Sequence, residues 1–203
     1  ITPYVPTLDK PWNEQRAQHL YRRLGFGTDL STIQSALLQN PTSLVDALVD
    51  EAVALPPTPA PAWGNWALSD YSDVEVEGPA QILEWYYQFI TDMLNNGLRD
   101  KLTLFWSNHL VTQLGVYECP SYMYQYYALL QQYGTGNFKD FIHDMGISAP
   151  MIVYLNAYEN TAASPNENYA RELYELFTLG VNNGYTQIDI VETAKALTGY
   201  QGF

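Results

Sequence analysis

Apolar residues return every three to four positions along nearly the whole of this chain, and that spacing is the strongest constraint on its fold. Residues at i, i+3, i+4 and i+7 share one face of a helical turn, so such a stripe buries itself only as a helix. Ala17, Leu20, Tyr21 and Leu24 make the first stripe, Leu30, Ile33 and Leu37 the second, and Leu44, Val45, Leu48 and Val49 the third. Ile82, Tyr86, Phe89, Ile90, Met93 and Leu94 make a broader face, and Leu98, Leu102, Phe105, Trp106 and Leu110 another. Only "VEVE", residues 74–77, alternates with the period of a strand. The pattern predicts an all-α fold, an orthogonal multi-helix bundle of about eight or nine helices.

Turn chemistry falls where the stripes stop. Gly25 closes the first, Thr28 and Thr42 can cap the second and third helices, and "NNG" at 95–97 ends a helix whose first turn suits Pro79. Pro120 opens a Tyr-rich helix that Gly134 closes, Asn137 can cap a short one carrying Phe138, Phe141, Ile142 and Met145, and a further turn is expected near Pro150 to Leu155. A last helix follows Thr186, with Ile190, Val191, Ala194 and Leu197 on one face. One segment breaks the pattern. Residues 55–78, "LPPTPAPAWGNWALSDYSDVEVEG", mix prolines, glycines, acids and two tryptophans, which is loop chemistry. Trp63 and Trp66 favour a loop packed on the helical body over a linker. Residues 1–203 read as one helical domain.

Burying those stripes requires a core, and 47% hydrophobic against 15% charged residues supplies one. With 22 acidic and nine basic side chains the formal charge is −13, a field that repels nucleic acid and anionic lipid. No apolar run approaches the roughly 20 residues that cross a bilayer. Cys119 is the only cysteine, which excludes an intrachain disulfide and a thiolate metal cluster. Ile1 at the start fits removal of a signal peptide, or equally a trimmed start. The 17 tyrosines and five tryptophans suit flat contacts with sugars or proteins as well as a core. The fingerprints H-E-x-x-H, G-x-S-x-G, G-x-G-x-x-G and the P-loop are missing, which disfavours the hydrolases, zinc proteases and nucleotide enzymes that carry them.

The densest polar cluster is "SPNENYARELYELFTLG", residues 164–180. Ser164, Pro165 and Glu167 have the spacing of a capping box, and Glu167, Arg171 and Glu175 that of a surface ion-pair ladder. Glu172 differs. At about 100° per residue it projects between Leu176 and Leu179, inside an apolar arc, where a carboxylate must find a cation, donors or a metal, or hold a proton. His109 falls near the middle of the stripe on "LRDKLTLFWSNHL", so the two form a candidate pair, as a core pin or as an acid/base or metal site. His19 lies off its helix's apolar stripe beside Arg22 and Arg23, either as a basic helix end or facing a cleft. His143, beside Asp144, reads as surface.

"HLYRRLGFG" at 19–27, "LTLFWSNHL" at 102–110, "PNENYARELYELFTLG" at 165–180 and "YTQIDIVETAKALTGY" at 185–200 resemble, in order and spacing, the bacterial family called domain of unknown function 1800. The resemblance implies no reaction. Members are generally longer, continue past the "LTGY" region into another helical part, commonly carry export signals, and tend to be encoded beside a second uncharacterised family. By that resemblance the chain is the N-terminal part of a longer, extracytoplasmic protein whose C-terminal part is its first partner; the end at Phe203, soon after an amphipathic helix, agrees. The family's polar motif positions fall on His19, Arg22, Arg23, Asn108, His109, Asn166, Glu167, Asn168, Arg171, Glu172 and Glu175.

Two functions fit. In a binding or assembly module the polar cluster pins helices while aromatic surface docks a protein or glycan. In an enzyme acting on a polymer such as a saccharide, His109 and Glu172 are the acid/base pair or metal ligands. Asn108, Asn166 and Asn168 then position substrate, with His19, Arg23, Glu167 and Arg171 completing the binding set. No metal-ligand set is assigned, and the cofactor is left open.

Overall fold

The computed structural model describes residues 4–200 of the chain; both chain ends discussed above lie outside the described residues. Eleven α-helical segments and no strand are found among those residues, so the fold is all-α.

Three helices form an N-terminal layer: α1 (Glu14–Arg23), α2 (Leu30–Leu37) and α3 (Pro41–Ala54). Their shared core is Ala17, Ile33 and Leu44 from the predicted stripes, joined by Ala36, which lay outside them, while Leu30 and Val49 of those stripes are exposed. The caps differ from Thr28 and Thr42, falling one residue later in the first case and two residues earlier in the second. Asp29 accepts from the Thr32 amide at 2.9 Å, and Asn40 caps the helix that Pro41 begins. Hydrogen bonds from Ser31 and Thr32 hold the Asp29 carboxyl down at about 2.

The irregular segment is shorter than its composition suggests, because α4 (Val74–Asn95) starts within it. Asp73 caps that helix, and "VEVE" forms its first turn rather than a strand. Gly78 is buried because Pro120 sits on it: a Cβ there would lie 3.3 Å from the proline ring. The remaining loop packs on the body. Trp63 is buried, and its indole N–H donates to Glu84 at 2.8 Å.

Next come α5 (Leu98–Ser107), α6 (Leu114–Tyr117), α7 (Pro120–Tyr133), α8 (Phe138–Gly146) and α9 (Ala149–Tyr154). The central element is α7, packed against α4, α5, α6, α8 and α9. A helix buried nearly all round needs partners for its polar tips. Its tyrosines find backbone: Tyr126 donates to the Leu110 carbonyl at 2.9 Å and Tyr124 to that of Thr58 at 3.2 Å. Leu130, Phe141, Met145, Met151 and Phe177 complete the main core.

The chain closes with α10 (Asn168–Glu172), which runs straight into a π-helical turn, Leu173–Thr178, and then α11 (Gln187–Ala196). Ala170 packs on Ile190 and Ala194, and Tyr174 stacks on Tyr185 with ring centroids 5.3 Å apart. Thr186 and Asp189 form the capping box of α11.

Candidate functional site

The polar motif is anchored by side-chain amides. Ser164 makes no capping box, because it pairs with Thr161 in an isolated antiparallel bridge, and α10 begins only at Asn168. Asn166 takes the capping part: its Oδ1 accepts from the Asn168 amide at 2.9 Å. Asn168 Nδ2 in turn donates to the Leu155 carbonyl at 2.9 Å, tying the start of α10 to the end of α9. Asn160, which the sequence did not single out, is the hub. Buried, it donates to the carbonyls of Ala194 and Leu197 at 2.8 and 3.0 Å and accepts from the Asn166 amide at 2.8 Å. It sits in an irregular stretch where no periodicity marks it.

Arg171 has the ladder partners that spacing predicts, Glu167 at 2.9 Å and Glu175 at 3.2 Å, and adds Gln187 at 3.1 Å on α11. Both carboxylates hold its proton more tightly. Asn108 caps α5, its Nδ2 donating to the Leu104 carbonyl at 2.8 Å. His109 therefore lies past the helix rather than within its stripe. Its Nε2 is 3.0 Å from the Phe177 carbonyl, which can only accept, so Nε2 carries the hydrogen and Nδ1 is the basic nitrogen.

Glu172 stands apart. No hydrogen bond or ion pair of its side chain occurs among the described residues, with His109 or with any other group. It is half-buried rather than sunk. Directly after it comes the π turn, which closes on the fifth residue instead of the fourth and so rotates everything beyond it by about one residue, roughly 100°, taking the predicted flanking leucines away from Glu172. Leu176 and Leu179, predicted to flank Glu172 in the core, are 58% and 43% exposed, while Phe177 turns inward. Lost hydration, then the Glu175 carboxylate, push the Glu172 carboxyl up, opposed by Arg171.

The fully buried ion pair lies elsewhere. Arg99 donates to Asp100 at 2.8 Å and to the Pro56 carbonyl, Asp100 accepts from Gln131 at 2.9 Å, and Thr58 links Arg99 to Asp92. This network staples the loop onto α4, α5 and α7. An Arg-Asp pair on consecutive residues beside Leu98 and Leu102 was its only trace in the sequence. Among the described residues no group of three or more His, Cys, Asp or Glu side chains is placed to hold a metal ion, and no helix is long and apolar enough to cross a membrane. His19 and Arg23 are exposed on α1, on another part of the molecule from the motif, and line an open groove with Arg16 and Arg22.

A family profile described as "Protein of unknown function (DUF1800)" matches residues 19–202. No curated protein and no solved structure matches the chain.

Proposed function

Since the chain belongs to the DUF1800 family, whose description assigns no activity, we propose from its geometry that it is a binding or assembly module docking a protein partner along α4. The observation that carries this is the outer face of that helix, where Leu83, Tyr86, Tyr87, Ile90 and Leu94 are all exposed. The sequence pattern made one broad buried face of this helix. Instead Trp85 and Phe89 go inward, and the second stripe, at spacings of three and four, faces solvent. A continuous apolar strip along a helix is the surface a partner helix covers. The motif supports the same function, because Asn108, His109, Asn166, Asn168, Glu167 and Arg171 are occupied in holding backbone and helices together. An extracytoplasmic location is part of the proposal and rests on the family resemblance.

A photo-crosslinking residue at Tyr87 of the full-length protein in its native cells tests the docking face. A discrete intermolecular adduct is expected, lost when Ile90→Asp is added. A crosslink within the same polypeptide, or none, rejects the assignment. One observation favours the enzyme alternative, a hydrolytic or metal-dependent activity on a polymer such as a saccharide: among the described residues Glu172 is the motif carboxylate left without a hydrogen-bond or ion-pair partner, beside a π turn, an element frequent at functional sites.

A further inference from the structure

Lys10, Arg16, Arg22 and Arg23 gather four of the nine basic residues of an acid-rich chain into its first helix and the arm before it. At about 100° per residue, Arg16, His19, Arg22 and Arg23 share the side of α1 that faces away from buried Ala17. That side walls an open groove of about 950 Å³, completed by Tyr4 of the arm and Thr42 at the start of α3, and none of the described residues lining it is acidic. Among the described residues none of the three guanidinium groups pairs with a carboxylate. Arg16 is fixed, its Nε donating to the Pro11 carbonyl at 2.9 Å and its guanidinium lying 5.6 Å from the centroid of the Tyr4 ring. Among the described residues Arg22 makes one long bond, to the Gln18 carbonyl at 3.3 Å, and Arg23 makes none. A helix C-terminus accounts for Arg22 and Arg23, but Arg16 and His19 precede the last turn.

We propose that this groove binds an acidic peptide segment of a partner protein. Its charge selects an anion, and its remaining features select the class. A saccharide needs a free aromatic face. Here Arg16 lies over the Tyr4 ring, and the Trp12 indole donates to the Ala36 carbonyl at 3.0 Å within the core of the first layer. A nucleic acid extends past the groove over a surface carrying the chain's formal charge of −13. A short acidic segment does neither. From Arg16 to Arg23 the helix rises about 10 Å, the length of about three residues of extended chain, so a short acidic segment spans the row of guanidinium groups. With a screening length of about 8 Å at physiological salt, the bound segment feels these cations more than the distant acids.

The groove rests on the binding-module proposal but uses a different surface, so each can fail alone. Loss of the Tyr87 adduct with peptide binding intact removes the α4 assignment, and the reverse removes the groove. The probe is a fluorescent hexaglutamate peptide, titrated with the protein by anisotropy in about 50 mM salt. Saturable binding that weakens with salt is expected, as is a loss of about tenfold or more in affinity for Arg22→Gln/Arg23→Gln with an unchanged unfolding midpoint. Lys139→Gln/Lys195→Gln, far along the chain, is expected to bind as the parent does. No binding up to about 1 mM, an equal loss in the distant pair, or preference for polygalacturonate or a single-stranded oligonucleotide over the peptide overturns the proposal.

Discussion

Glu172 weakens the fold that carries it. Its carboxyl is raised by partial burial and by Glu175, and the nearest guanidinium, Arg171, is held by Glu167 and Glu175. A raised carboxyl binds protons more readily in the folded than in the unfolded chain. The folded state is therefore favoured by this group below the ordinary carboxylate range and loses that advantage as pH rises through the folded value. Glu172→Gln removes the charge while keeping the shape. We expect the variant to be more stable than the parent at pH 7, by less than about 1 kcal/mol because water still reaches the group, and the difference to vanish near pH 4. Denaturant titrations at the two pH values measure it; a variant less stable at pH 7 means that Glu172 is a pin with a partner.

At the scale of an element, the π turn of α10 depends on one imidazole. Phe177 at its end offers a carbonyl that His109 covers, while Leu179 and Gly180 both donate to the Tyr174 carbonyl, at 3.0 Å each. His109→Leu leaves the Phe177 carbonyl without its donor and should cost about 1–2 kcal/mol, with faster amide exchange over residues 177–180. His109→Gln puts an amide nitrogen near the position of Nε2 and should recover most of both. Failure of the glutamine to recover either indicates that the ring itself matters, as a base does. The same turn explains what the sequence hid. Stripes at i, i+3, i+4 and i+7 located the helices, and the cluster at Ala170, Arg171 and Glu167 was legible because all three precede the extra residue. Leu176 and Leu179 were misplaced because a fixed 100° step cannot anticipate it. Ser164 was misjudged for a different reason, since its backbone had a competing partner in Thr161. Arg99, Asp100, Thr58 and Gln131 converge from separate segments, a convergence that no local spacing encodes.

The molecule as a whole carries 22 acids against nine bases, and that imbalance gives salt two opposite effects. Ion pairs stabilise weakly: the exposed pairs of Arg171 and Lys195 contribute little and are screened. The Arg99–Asp100 pair is buried and insensitive to salt. Repulsion among the excess carboxylates is spread over the surface and falls as the screening length shortens from about 30 Å at 10 mM to about 10 Å at 100 mM salt. With so few pairs to weaken, the relief of repulsion dominates, so added sodium chloride should raise the melting temperature, by about 2–4 °C if 1 kcal/mol is recovered. The α1 groove has the reverse sign, because there unlike charges meet and salt weakens them. Calorimetry and hexaglutamate titration across one salt series should therefore diverge, stability rising while affinity falls. Parallel trends contradict a locally basic groove on a globally acidic molecule, and a melting temperature that falls with salt shows that the surface pairs outweigh the repulsion.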